Sequence, residues 1–296
     1  MIAIIIINYN TYEKTIDCIN SIRNTCKIPY KIYLIDNASS NESADILQNE
    51  FGNSDDVIVI LSKENLGYAK GNNICIKKAI DDGFKYAVIS NNDIIFEEDS
   101  IETLYNEISK DEYMIVGPKV ITPEGITQKS IRNSSPIFFR YIIKETYISS
   151  LLRKLIKEEQ MPDKKMDVYW VSGCAFAANL DLFSTIGLFD ENTFLYFEEY
   201  ILAEKAKKAG LKMEYFPEAR LFHYHGYSMG GHTNIVTRAV NLRSEMYFLS
   251  NYMNWNIIKL KIIKFIRMME VRFNLRKDEE KNEKWKKYKL ECSKIK

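Results

Sequence analysis

Long apolar runs, paired cysteines and an excess of either charge are all missing from this 296-residue chain. No stretch approaches the ~20 consecutive apolar residues of a membrane-spanning helix, so any membrane contact is expected to be peripheral. The five cysteines, Cys18, Cys26, Cys75, Cys174 and Cys292, are scattered and contain no Cys-x-x-Cys pair. That excludes a disulfide framework and a thiolate zinc site, and it points to a reducing, cytoplasmic setting. A formal charge of +1 excludes a globally basic coat, so no nucleic-acid partner is expected. There is no internal repeat, and neither a Gly-x-Gly-x-x-Gly fingerprint nor a Lys-bearing phosphate loop follows the first apolar run.

What is present is uneven. Residues 251–296 carry fourteen Lys or Arg against six Asp or Glu, so a mildly acidic body wears a basic tail. The apolar opening Ile2–Ile7 is too short for a secretory core segment and runs straight into Asn8-Tyr9-Asn10, which reads as a buried first strand. A helical pattern follows through Ile16, Ile19 and Ile22. Strands are expected at 31–35, 57–61 and 86–90, with helices near 43–50 and up to about Ile80, and a Gly-containing loop at 65–73. Such alternation predicts an α/β chain with a mostly parallel central sheet flanked by helices.

Between Arg132 and Lys165 lies a basic, partly amphipathic stretch that reads either as an insertion over a site or as a surface helix. Strand-like sequence returns at 168–178, and helices are expected at 181–186 and 198–209, the second stopped by Gly210. From Asn251 onward, Trp255, Ile258, Ile262, Phe265, Ile266 and Met269 recur at helical spacing among Lys259, Lys261, Lys264, Arg267 and Arg272. This helix would either lie on an anionic membrane or pack on the body. The sequence selects no oligomeric state.

Ligands of open parallel sheets bind beyond the carboxyl ends of the strands. Polar residues end the apolar runs at Asn8-Tyr9-Asn10, at Asp36-Asn37-Ala38-Ser39, from Asn65 through Gly67 and Gly71 to Asn73, and at Asn91-Asn92-Asp93. Taken singly, each is an ordinary turn signal. Taken in order, they describe one crevice. All three histidines, His223, His225 and His232, fall within ten residues, and on a strand His223 and His225 would share a face.

With these motifs, and with Trp170-Val171-Ser172-Gly173, Gly187-Leu188-Phe189-Asp190, the stretch Phe194 to Glu199 and the stretch His223 to Ser228, the chain resembles the inverting family 2 glycosyltransferases. The similarity is strongest to bacterial members that build capsule, O-antigen and rhamnose-containing polysaccharides, and it covers about residues 1–245. The resemblance implies the GT-A nucleotide-diphospho-sugar transferase fold with a C-terminal helical extension. Residues 1–245 would form the transferase domain, with a nucleotide-binding half at 1–100 and an acceptor and catalytic half at 101–245, and 246–296 a basic amphipathic tail.

The resemblance further implies a nucleotide diphosphate sugar, UDP- or dTDP-linked, held by Asn8, Tyr9, Asp36, Asn65, Gly67, Asn72, Asn92 and Asp93. Asp93 matches the last acid of the metal-binding Asp-x-Asp motif, where Mg²⁺ or Mn²⁺ bridges diphosphate oxygens, and His223 matches a residue near the same diphosphate. Glu199 matches the base that deprotonates the acceptor, a saccharide or lipid-linked oligosaccharide. Trp170, Gly173, Glu198, His225 and Ser228 fall on the acceptor side or in support. Trp170 has two readings, stacking on a sugar or packing in the core.

Three positions depart from the pattern: Asn91 replaces the first acid of Asp-x-Asp, Glu199 lengthens a usual Asp by one methylene, and Ile201 replaces a further Asp. These departures keep open a non-catalytic nucleotide-sugar binder on the same fold. A nucleotidyltransferase would need a Gly-rich, cationic loop after the first strand, where Asn8-Tyr9-Asn10-Thr11 stands. The expected setting is the cytoplasm, with the inner face of the membrane as one of two readings of the tail.

Overall fold

Successive side chains of a strand leave for opposite faces, and strand β1 (Ile2–Asn8) is apolar on both. Ala3 and Ile5 enter one core with Tyr33, Ile35 and Ile89, whereas Ile2, Ile4 and Ile6 enter the other with Ile32, Leu34 and Val88. The sheet is therefore covered on both sides, as the continuous Ile run requires. In the computed structural model, β1 pairs in parallel with β2 (Tyr30–Asp36) and β4 (Tyr86–Asn91), and β2 pairs with β3 (Val57–Leu61). Helices α1 (Tyr12–Thr25), α2 (Ser43–Phe51) and α3 (Gly67–Asp81) make the crossovers.

Because β2 and β4 lie on opposite sides of β1, the connection reverses direction beside β1, which opens a crevice at its carboxyl end. The nine-stranded sheet is completed by β5 (Ile94–Phe96), β6 (Ile115–Ile121), β8 (Met166–Val168), β10 (Ala175–Asn179) and β11 (Met213–His223). β1 to β4, β6 and β11 point one way, and β5, β8 and β10 point the other. A two-stranded piece pairs β7 (Ile131–Arg132) with β9 (Trp170–Val171). Helices α4 (Ser100–Ile108), α6 (Leu180–Thr185) and α7 (Glu198–Lys208) complete this part, and α7 ends before Gly210 at φ 69°.

The structure describes residues 1–145, 161–224 and 234–293. They form two compact units, Met1–Ser134 with Met161–Phe194 and Glu198–Ser228, and Ser135–Gln160 with Leu195–Phe197 and Met229–Lys296. The second unit contains α5 (Phe138–Glu145), α8 (Ile235–Asn251), α9 (Ile257–Asn274) and α10 (Lys281–Ser293). Position 245, where the sequence suggested a break, lies inside α8.

Three local expectations change. The segment 65–73 is not a loop beyond Leu66, because the Asn37 side chain accepts from the Leu66 amide and Asn65 Oδ1 accepts from the Gly67 amide, starting α3 at Gly67. The strand expected over 168–178 is broken at Tyr169 and at Ser172–Cys174, where the chain switches partners. Trp255 precedes α9 and is buried against Phe138 and Tyr141, so it leaves the apolar stripe assigned to it. His225, Ser228 and His232 lie outside the described residues.

Candidate active site

The end of β1 is a buried polar junction. Asn8, fully enclosed, donates from Nδ2 to Asp36 Oδ2 at 2.7 Å and to Ser39 Oγ at 3.2 Å. Its Oδ1 accepts from Thr15 Oγ1 at 2.9 Å and from Asn92 Nδ2 at 3.2 Å. Asp36 also accepts from the Ser39 amide at 2.9 Å and the Ser39 hydroxyl at 2.6 Å. Each buried polar group thus has partners, as burial demands. Tyr9 is half-buried beside this junction in sequence, and Asn10 takes a left-handed φ of 62° while its Oδ1 accepts from the Ser40 amide.

Asn37 fixes the next loop, donating from Nδ2 to Asn65 Oδ1 at 3.0 Å and to the Gly67 carbonyl at 3.2 Å. Gly67 has φ 78°, and a Cβ there would strike the Phe194 carbonyl. Asn72 is turned into its own helix, donating from Nδ2 to the Tyr68 carbonyl at 2.9 Å, and it is fully buried.

Asn92 carries the junction onward, donating to Thr11 Oγ1 and Thr15 Oγ1 at 2.8 Å. Its neighbour Asp93, also buried, places Oδ1 3.2 Å from His223 Nε2. This contact is poorly aligned for a hydrogen bond and leaves Oδ1 without one, so attraction between charges carries it. The other ring nitrogen, Nδ1, lies 3.1 Å from Gln128 Oε1. Burial works against the His223 cation, but Asp93 and the Cys174 side chain outweigh it and push the imidazole pKa up to about 10. Among the described residues no group of three or more His, Cys, Asp or Glu converges on a metal site, so Asp93 and His223 stand as a two-donor pair.

The segment Gly173-Cys174 links this pair to Glu199. The Cys174 carbonyl accepts from the Asn91 amide at 2.7 Å, and the Gly173 carbonyl accepts from Tyr68 Oη at 2.7 Å. The Gly173 amide donates to Glu199 Oε1 at 3.0 Å. A Cβ on Gly173 would lie 2.6 Å from that oxygen, so only glycine lets the carboxylate rest on this backbone. Burial raises the Glu199 pKa above the ordinary glutamate value, opposed by the amides of Glu199 and Gly173 and by the charge of Arg132.

Arg132 lies over the rings of Trp170, at 5.7 Å, and Tyr200, at 5.2 Å. Trp170 is half-buried, tilted on Tyr200, and its buried Nε1 has no hydrogen-bond partner among the described residues. Glu198 is buried in the first turn of α7, where both acids favour the helix dipole. Ile201 is buried in the same helix. Before it in the chain, Tyr196 and Phe197 both take left-handed φ, 72° and 70°.

Contacts thus run from Asp36 to Asn8 and Asn92, from Asp93 to His223, and from Gly173 to Glu199, with the Asn91 amide on the Cys174 carbonyl tying the segment 91–93 to 173–174. Sequence reasoning did not single out Thr11, Thr15, Gln128, Arg132 or the Tyr68 hydroxyl. Thr11 and Thr15 carried a signal, an i, i+4 hydroxyl pair at the start of a helix behind a polar strand end. Gln128 and Arg132 carried none.

The chain is similar to known glycosyltransferases. The chain is 26% identical over 216 residues to the low-salt glycan biosynthesis hexosyltransferase Agl10 of Haloferax volcanii, covering 72% of this chain and 63% of that protein. It is 23% identical over 217 residues to an N-acetylglucosaminyl-diphospho-decaprenol L-rhamnosyltransferase of Mycobacterium tuberculosis, covering 68% of this chain and 69% of the other. A solved structure of GalNAc-T7 with UDP, GalNAc and Mn²⁺ superposes with a TM-score of 0.60 at 15% identity, over 90% of this chain and 54% of that one. The fold is thus the GT-A type that the motifs implied. The family model described as Glycosyl transferase family 2 matches residues 3–179, more than half of the sequence, and the chain belongs to that family.

Proposed function

We propose that the chain is an inverting glycosyltransferase that moves a sugar from a UDP- or dTDP-linked donor to a saccharide or lipid-linked saccharide in bacterial surface polysaccharide synthesis. The observation that carries this reading is a run of contacts from Asp36 through Asn8 to Asn92, along the chain segment Asn91-Asn92-Asp93, and across the Asn91 amide to the Cys174 carbonyl, whose neighbour Gly173 holds Glu199. It supports reading a nucleotide-type crevice and a basic carboxylate as one site. Asp36, Asn8 and Tyr9 receive the nucleoside, with Asn37 and Asn65 shaping the wall beside it.

Glu199 acts as general base. Its raised proton affinity suits removal of a proton from an acceptor hydroxyl, and the Gly173 amide fixes the direction of the carboxylate. The hydroxyl oxygen then attacks the anomeric carbon as the bond to the nucleotide diphosphate breaks on the far side, inverting the configuration. Arg132, Trp170 and Tyr200 form the acceptor side.

The buried Asp93 oxygen without a directed hydrogen bond, beside an imidazole, suits a hard divalent cation that completes its shell with ligand oxygens. Asp93 and, once its imidazole has given up its ring proton to solvent, His223 would hold Mg²⁺ or Mn²⁺, which would supply neutralisation of diphosphate charge.

Release of nucleotide diphosphate from candidate donors, with a pool of saccharide and lipid-linked acceptors and Mn²⁺, tests the reading. Asp93→Ala should lower turnover by about 100-fold or more, the scale of a lost key electrostatic contact. Unchanged turnover in that variant would remove Asp93 from the site. Donor binding without release for any acceptor would instead mark a non-catalytic nucleotide-sugar binder.

A further inference from the structure

Helix α9 has two apolar faces. On one, Ile263 and Val271 are buried, Arg267 clasps Glu245, and Lys264 Nζ donates to the Cys292 carbonyl. On the other, Ile258 and Phe265 are each 65% exposed, with Ile262, Met269 and Phe273 also open to solvent. At 3.6 residues per turn these five, spaced four, three, four and four apart, form one continuous stripe.

Lys261, Arg272 and Arg276 border the stripe, exposed and without an acidic partner among the described residues. The helix's one acid, Glu270, is held by Arg267. A groove of about 710 Å³ continues the stripe between α9 and α10. Phe265, Met269, Phe273 and Trp285 wall it, and none of its lining belongs to the candidate active site. The Arg276 guanidinium sits 4.3 Å from the Phe273 ring centre and that of Arg272 lies 5.9 Å from Trp285, so cations rim the apolar wall.

We propose that this face docks on an anionic phospholipid surface, with the stripe entering the boundary of headgroups and acyl chains and Lys261, Arg272 and Arg276 meeting lipid phosphates. The composition decides the occupant. A free phosphate would use the cations and leave the stripe in water. A second copy paired face to face would set the same cations against one another. A bilayer with anionic headgroups satisfies both the apolar and the cationic parts. Among the described residues no helix is long and apolar enough to cross a membrane, so the contact is interfacial. This docking does not depend on the transfer chemistry, and the Asp93→Ala test stands whatever its outcome.

Flotation of the full chain with phosphatidylcholine vesicles, with and without phosphatidylglycerol, provides the test. Binding is expected only with phosphatidylglycerol, weakening as salt rises and persisting in excess soluble glycerol phosphate. Arg272→Gln with Arg276→Gln should weaken it roughly 30-fold, at about one unit of surface attraction per cation. Phe265→Ser with Met269→Ser should abolish it, while the thermal midpoint of both double variants stays at the wild-type value. Equal binding to both vesicle types, no binding, displacement by glycerol phosphate, or full binding by the Phe265/Met269 variant would each overturn the proposal. So would sedimentation showing a dimer that the Phe265→Ser change dissociates.

Discussion

The two units invert one another's use of polarity. The first hides apolar side chains on both faces of a sheet and gathers polar ones at the carboxyl ends of β1, β2 and β4, where they bond to each other. The second holds its buried charge among helices, away from any strand end, and leaves apolar side chains outside. Its Glu245 is fully buried, accepts from Tyr141 Oη at 2.6 Å and from Arg267 Nη2 at 2.8 Å, while Phe265 and Ile258 face water. Polar groups of the first unit are placed by strand ends that any sheet of this order would supply. Glu245, Tyr141 and Arg267 of the second come from three helices and meet in one cluster, so the second unit is expected to be the more fragile to loss of one partner.

That fragility gives the largest expected effect. Glu245→Gln leaves Arg267 beside a neutral amide with Glu270 as its remaining acidic partner, so the cost is expected at the low end for a broken buried pair, about 3 kcal/mol. Urea unfolding of the full chain should show a separate early transition for the second unit. A single transition at the wild-type midpoint would mean that the ion pair is not what organises that unit. In the first unit the comparable weak point is steric. Gly173→Ala must displace the Glu199 carboxylate, and for the base proposed there a misplacement of ~1 Å is expected to cost about 100-fold in rate. Donor affinity should not change, because the Asn8–Asp36 junction is untouched. Equal loss of donor binding and turnover would point to collapse of the site instead.

The contrast also governs what could be read from the sequence. Strands β1 to β4 were legible because each apolar run is short, β-branched and ended by polar residues, and those same ends located Asn8, Asp36 and Asp93. The start of α3 was not, since Asn65, Gly67 and Asn72 are loop-forming types and the helix is begun by a side chain from another strand, Asn37. Gln128 and Arg132 stayed invisible because their partners, His223 and Trp170, are chosen by tertiary structure 95 residues away in one case and across a two-residue ladder in the other. The left-handed pair Tyr196-Phe197 contains no glycine to announce it. In the tail, periodicity gave the stripe on α9 but could not separate the face that packs from the face that stays open, since both are apolar and both contain lysine or arginine.

The smallest expected effect tests whether the first unit leaves a buried carboxyl without a charged partner. In the first, Glu107 and Glu214 are both buried near Lys165, which lies 3.1 Å from Glu107 and 4.0 Å from Glu214. Burial opposes the Glu107 anion, but Lys110 and Lys165 prevail and hold its pKa below the ordinary value. Glu214 is left with burial and the Glu107 charge, which raise its pKa from 4.5 to about 7. A carboxyl whose folded pKa is raised binds its proton more tightly in the folded state. Its contribution is therefore complete below about pH 4.5 and is lost as pH climbs through about 7. Glu214→Gln removes the ionisation, so the urea midpoint of the variant should stay level across that window while the wild type declines. At pH 8 the variant should be the more stable by something of the order of 2 kcal/mol. A wild-type midpoint that rises across the window would show Glu214 ionised and paired in the folded state, and the first unit would then bury its charges as the second does, in satisfied pairs.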